Sequence, residues 1–456
     1  MRSQTPVRRA GLLFDYEWDA RAHAAIADDW RFDRAGFDLF SFPSNARLVG
    51  FDLDRFAAAQ AQRARHRAWA GVLSHHEQFG ALAAALVAEA AGLPGVRPEA
   101  VLACQHKLHA RRVLQQVAPE ANIEFRALDV DYGDDIPDGI DYPAFVKPVK
   151  AAFSVLAARV QARADLQAHT RFGRRELWVI RRLVEPFERV ARRRLPQAGS
   201  AHRMMLEAPV AAPQYNLDGY MHAGRMQVLG IVDAVMYPGT QAFMRWELPS
   251  RLDPAVQARA AAVAQRFLSA VGFDDGMFNM EFFHDPVSDR LSVIEFNPRL
   301  ASQFGDLYRR VLGVDPHAIA IALATGGEPS AVPRQVPTAG AASSFVYRSF
   351  DPAEEMPMPT WHQRRRLHRE FPDAQLFMFP KRGHALARDF KWLGSHRYGI
   401  VHLGGRDRGH LQRRCLEASA LLGWPAPLHH DWERPAAHGR PAAAGVPVLA
   451  HARLGP

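Results

Sequence analysis

Cysteine is nearly absent from this 456-residue chain. Cys104 and Cys415 stand far apart without Cys-x-x-Cys or zinc-type spacing, which excludes a disulfide framework and a cysteine-built zinc site. No run approaches the roughly 18 consecutive apolar residues of a membrane span, and residues 1–10 lack the apolar core of a signal peptide, so no membrane and a cytoplasmic location are expected. Nucleic-acid signatures are missing too. The net charge is +9, yet arginine is spread along the chain with no helix-turn-helix, zinc-finger or aromatic RNA-binding pattern. Lysine is the remaining scarcity, with five among 57 basic residues: Lys107, Lys147, Lys150, Lys381 and Lys391. Lysine at Lys107 and Lys147 in so arginine-rich a chain fits a need for a compact ammonium there, chance being the alternative.

What is present is enough for sizeable cores, 48% hydrophobic content, and two to four units at about 150 residues per domain. The most informative segment runs from Gly276 to Arg299. Residues 278–284 and 291–297 are rich in aromatic and β-branched side chains, and Asp285-Pro286 with Ser288-Asp289 supplies a turn, which predicts an antiparallel hairpin. Glu281 and Glu295 then lie nearly opposite. A period of two places Glu295 and Asn297 on one face with Leu291 and Val293, and Glu281 with Asn279 and Phe283. Opposed carboxylates on a half-buried sheet repel and need a cation, and hard divalent ions with all-oxygen ligands fit. Arg299 adds a planar fork for phosphate or carboxylate. An Arg-Glu surface ladder is the plainer alternative.

Along the chain, apolar runs at 12–14, 37–42, 48–51 and 70–73, separated by amphipathic stretches, predict a small open α/β unit over residues 1–100. Ser74-His-His-Glu77 reads as a capping box opening a helix that stops at Gly92. A helix over 107–117 is followed by strands at 122–128 and 142–149, the latter carrying Lys147, and at 155–160, then mostly helix over 166–194. Strands are expected at 204–210, 214–222 and 226–235, and Asp253-Pro254 opens a helix closed by Gly272. A last helix spans 314–324. Residues 336–425 form a third unit with strands at 343–350, 374–379 and 397–403 and a helix at 409–422, and 426–456 read as a disordered tail. His75, His76, His106 and His109 show no ligand spacing with acids and read as capping or surface residues.

Taken in order, Lys107 at a helix start, Lys147-Pro148 on a strand, the acid Glu207 on a hinge strand and the set Glu281, Glu295, Asn297 and Arg299 resemble the ATP-grasp superfamily, which includes carboxylate-amine ligases and biotin carboxylase. The likeness spans roughly residues 70–330. It implies an α/β and α+β architecture: an N-terminal open α/β domain (1–100), a two-lobed ATP-binding domain (101–335) and a C-terminal α+β domain (336–425). By that similarity Lys107 and Lys147 contact the α- and β-phosphates. Residues 205–210 form the hinge reading adenine, ending at Val210, with Glu207 facing the amino group or ribose, and Gln214 and Phe283 complete the nucleotide site. Glu281, Glu295 and Asn297 hold magnesium or manganese, and Arg299 holds the transferring phosphoryl group. The glycine-rich loop usual after the strand lysine is missing, and Lys150 and Ser154 are its replacements, with a solvated turn as the other reading of Lys150. Arg245 to Pro249 and Ser302-Gln303-Phe304 fall where similar ligases touch substrate, although core packing suits Trp246 and Phe304 better.

The implied chemistry is ATP-dependent joining of a carboxylate, such as an amino acid, to an amine through an acyl phosphate, with small molecules as partners and a homodimer as the frequent state of related enzymes. No nucleophilic side chain is required, in keeping with the absence of a Gly-x-Ser-x-Gly elbow. Biotin carboxylase-like carboxylation and a catalytically inactive nucleotide-binding regulator are the rivals.

Overall fold

The computed structural model describes residues 7–26, 29–37, 50–130, 134–151, 156–353 and 356–428. Ser154, residues 38–42 and 48–49 of the expected apolar runs, and the tail from 429 onward lie outside them.

The N-terminal strands β1 (Arg8–Leu13), β2 (Trp30–Ala35) and β3 (Gly71–Leu73) form a parallel sheet in the order β2-β1-β3. Parallel strands joined by helices need apolar side chains on both faces, and β1 has them. Leu13 packs with the helices Leu53–His66 and Gly80–Ala91, while Ala10 and Leu12 pack with the helix Pro316–Ala324. The chain therefore returns from beyond the acidic hairpin to cover its own first sheet. No capping box forms at Ser74. Its Oγ donates to the Leu13 carbonyl and accepts from the His76 N–H, so the helix begins only at Gly80, where a Cβ would sit 2.0 Å from that oxygen.

Strands β4 (Phe125–Leu128), β5 (Ala144–Pro148), β6 (Ala158–Val160) and β7 (Met204–Glu207) make a small antiparallel sheet in the order β4-β7-β5-β6. The helix expected over 166–194 is two helices, Arg163–Thr170 and Arg174–Arg194.

The eight-stranded third sheet runs β12-β11-β8-β9-β10-β13-β15-β14, built from β8 (Gln214–His222), β9 (Arg225–Met236), β10 (Phe243–Leu248), β11 (Gly276–Asp285), β12 (Arg290–Asn297), β13 (Ala341–Ser349), β14 (Gln375–Met378) and β15 (His396–Gly405). The C-terminal strands extend the hairpin's sheet through β10–β13 pairing and carry a core of their own around Phe345, Tyr347 and Trp424. β10 was not expected. Residues 245–248 lie on this central strand, with Trp246 packed on Phe243 and Phe304 and with Arg245 and Glu247 as a buried ion pair. Core packing, the reading preferred for Trp246, is what the structure shows there.

Behind the hairpin lies the helix Pro254–Ala270, started by Asp253, whose side chain accepts from Ala255 N–H at 2.7 Å, with proline in the first turn. Phe267 of this helix stacks on Phe296 of β12 at 3.8 Å. Together with Phe278, Met280 and Phe282 these rings fill the core side of the sheet and leave the other side to polar residues.

Candidate active site

Glu281 pairs directly with Glu295 and Asn279 with Asn297 in the β11–β12 ladder. The alternation expected for β12 fails at one point. The register shifts between Glu281 and Phe282, leaving Ile294 as an extra residue, so Leu291 and Val293 join Phe296 in the core while Glu295 and Asn297 face the cleft. The bulge's carbonyls are satisfied by a residue sequence reasoning missed. Buried Arg111 donates from Nη1 to Val293 O at 2.6 Å and from Nη2 to Ile294 O at 2.9 Å.

Polar side chains cross three strands on the cleft face. Gln214 Nε2 donates to Glu281 Oε2 at 2.9 Å, and Asn297 Nδ2 donates to Asn279 Oδ1 at 3.1 Å and Glu281 Oε1 at 3.3 Å. Asn279 in turn donates to Asp218, which also accepts from Tyr308 Oη at 2.8 Å. Phe283 is half-buried on the same side of β11 as Glu281.

Lys107, the first residue of the helix Lys107–Val117, places Nζ 2.6 Å from Glu295 Oε2 and donates to Ala151 O. It holds the carboxylate opposite Glu281. Burial and then repulsion by Glu295 push Glu281 up to about 7; burial opposes ionisation of Glu295 as well, but Lys107, Lys147 and Arg299 together bring it down to about 2. The two acids are thus pushed in opposite directions, Glu281 towards holding its proton and Glu295 towards ionisation, with the Lys107 ammonium beside Glu295.

Beside it, Lys147 of β5 and Arg111 both bind Glu207 Oε1, at 2.7 and 2.6 Å. Glu207, expected to face the adenine or ribose, has that oxygen engaged by two buried cations. Burial brings Lys147 down to about 8, and Glu207 works against that shift. Val210 is half-buried in the link between β7 and β8.

A third ionic group comes from the loop after β3. Glu77 Oε2 lies 3.1 Å from Arg299 Nε, and Glu77 Oε1 accepts from Gln105 at 2.8 Å and lies 4.0 Å from Lys150 Nζ. Lys150 is buried against the Phe187 ring, which corrects its reading as a solvated turn. Glu77 was hidden by its fit to a capping box. Ser302 Oγ accepts from Trp18 Nε1 at 2.9 Å and Gln303 donates to Ser344, so both are engaged within the protein. Among the predicted residues, the structure brings together Lys107, Lys147, Glu207, Gln214, Glu281, Glu295, Asn297 and Arg299.

No protein-family model and no curated protein matches the sequence. Solved structures do match in shape. An L-amino acid ligase from Bacillus licheniformis superposes with a TM-score of 0.64 at 14% identity over 91% of this chain and 96% of that one. A carboxyaminoimidazole ribonucleotide synthase from Aspergillus clavatus, complexed with ATP, gives 0.59 at 13% over 91% and 98%. Biotin carboxylase from Campylobacter jejuni gives 0.57 at 15% over 91% of each chain. The fold is ATP-grasp. At this identity the likeness fixes the ATP-grasp architecture, and the roles of individual residues rest on the geometry above. Among the described residues, no helix is long and apolar enough to cross a membrane.

Proposed function

We propose that this chain is an ATP-dependent ligase that joins a carboxylate to an amine through an acyl phosphate. The observation that carries the reading is the in-register Glu281–Glu295 pair with Lys107, Lys147 and Arg299 converging on it. Two opposed carboxylates and the Asn297 amide are an all-oxygen donor set suited to a hard ion, and burial together with repulsion by Glu295 raises Glu281, a cost that a bound cation would relieve. Glu281, Glu295 and Asn297 would hold Mg²⁺, which when bound supplies neutralisation of the β- and γ-phosphate charge.

The chain's own groups do the rest. Lys107 and Lys147 give point charges to the phosphate oxygens, and Glu207 keeps Lys147 positioned and charged. Arg299, held by Glu77, offers its fork to the transferring phosphoryl group. A substrate carboxylate oxygen attacks the γ-phosphorus, the bond to the ADP oxygen breaks, and an acyl phosphate forms. The amine nitrogen then attacks the acyl carbon, phosphate leaves with the electron pair, and the amine loses a proton. Water must stay out between the two steps, since it would compete for the same carbonyl.

The test is phosphate release from ATP with panels of amino acids as carboxylate and amine donors, bicarbonate forming a separate arm. Release that needs both an added carboxylate and an amine supports ligation. Release only with bicarbonate points to carboxylation, and equal release without any acceptor contradicts the proposal.

A further inference from the structure

A second cluster of ligand-type side chains lies outside the nucleotide cleft. Asp19 of the helix Glu17–Ala24, His75 of the loop after β3 and His317 at the start of the helix Pro316–Ala324 are all buried, and a ligand atom from each lies within 4.8 Å of the others. His317 Nε2 is 3.1 Å from Asp19 Oδ1. A third imidazole, His23, stands next to them, its ring centre 6.0 Å from that of His75 and 5.4 Å from that of His317.

Hydrogen bonding accounts poorly for this group. His75 Nε2, His317 Nδ1 and both ring nitrogens of His23 are buried without a hydrogen-bond partner, although an unmet buried polar atom costs about 1–3 kcal/mol. Three imidazoles around one carboxylate exceed what that carboxylate needs. A small cavity lined by Ser74, His75, Met277 and Arg299 reaches one side of the cluster.

We propose that Asp19, His75 and His317 bind one divalent ion of the zinc class, with His23 or a water completing the coordination. The chemistry separates this site from the hairpin. Two or three imidazoles and one carboxylate favour a borderline late transition metal, whereas the all-oxygen hairpin favours magnesium. Around tetrahedral zinc, with bonds of about 2.0–2.1 Å, ligand atoms sit roughly 3.4 Å apart. The Asp19–His317 edge, at 3.1 Å, is already close to that, and the other edges, within 4.8 Å, need to contract by at most about 1.4 Å. Binding releases the proton now shared between Asp19 and His317. The ligands come from segments up to 298 residues apart in sequence, so the ion would pin the N-terminal helix and the β3 loop to the helix that follows Arg299. That loop also carries Glu77, the partner of Arg299.

The experiment is titration of the chelator-stripped full-length protein with Co²⁺ in excess Mg²⁺ and without nucleotide, read by visible absorption. One equivalent with the intense bands of a four-coordinate site, displaced by Zn²⁺ and retained in Glu281→Gln, is expected. Asp19→Asn keeps the shape of the site and should weaken Co²⁺ at least tenfold, while His317→Gln should abolish the bands. Circular dichroism checks each variant for folding. Folded wild-type protein that takes up no stoichiometric Co²⁺ overturns the proposal, as does uptake lost in Glu281→Gln or unchanged in folded Asp19→Asn. If His317→Gln does not fold, the wild-type titration and Asp19→Asn still decide.

Discussion

The two ionic clusters that meet at the cleft use the same residue types with opposite surplus. At the hairpin, Glu281 and Glu295 share one lysine, Lys107; under β5 and β7, one acid, Glu207, serves two cations, Lys147 and Arg111. By direct ion pairs, the first group has more acids than bases and the second more bases than acids. They also differ in access: the side chains of Glu295 and Lys107 are 24% and 16% exposed, those of Glu207 and Lys147 5% and 6%. Under the proposed function, the more accessible, acid-rich group would receive cations, and the deeper, base-rich group would receive phosphate while remaining part of the framework. A metal-bound triphosphate is a ligand that answers both imbalances.

The comparison breaks most sharply at Glu295. Glu295→Gln should lower ATP turnover at least about a hundredfold while the circular dichroism spectrum stays that of the wild type; turnover near the wild-type level would remove the hairpin's assigned role. Glu207→Ala should act on stability instead, by about 3–5 kcal/mol in urea unfolding, because it strands two buried cations. Equal effects of these two substitutions on stability would erase the distinction between the clusters.

Arg111→Lys sharpens the framework side. It keeps the charge but loses the fork that reaches Glu207, Val293 O and Ile294 O together, so a loss of about 1–3 kcal/mol is expected, with a smaller change in KM for ATP than Lys147→Met produces. The smallest effect is the pH dependence. Because Glu281 is raised to about 7, the metal-free protein should lose stability as pH rises from the ordinary carboxylate range through 7, since the unfolded chain gives up that proton earlier. Mg²⁺ affinity should run the other way, tightening by up to about tenfold per unit below pH 7 and levelling above it. Calorimetry at pH 6 and 8 reads this dependence, and Glu281→Gln should flatten it.

Much of this was legible in the sequence where local chemistry decides. The hairpin could be read because aromatic and β-branched runs flank an Asp-Pro turn, and the helix over 254–270 because its cap and proline stand in order. The bulge at Ile294 could not be read, since apolar residues on either side of it satisfy a period of two equally well; only Arg111, 182 residues away, marks the shift. Glu77 was misread because Ser-x-x-Glu spacing is also that of a cap, and close packing of Gly80 on Ser74 overrides it. His75 looked like a surface or capping histidine for a similar reason, because its partners Asp19 and His317 lie far off in the chain. β10 was overlooked where charged residues interrupt the apolar pattern, and those charges are paired in the fold.

The most direct measurement is the affinity for ATP with and without Mg²⁺, in the wild type and in the double variant Glu281→Gln/Glu295→Gln. The wild type should bind ATP far more tightly with Mg²⁺, and the double variant should lose that gain while keeping the weaker metal-free binding supplied by Lys107, Lys147 and Arg299. ATP affinity that ignores Mg²⁺ in the wild type, or a gain that survives in the double variant, would contradict the account.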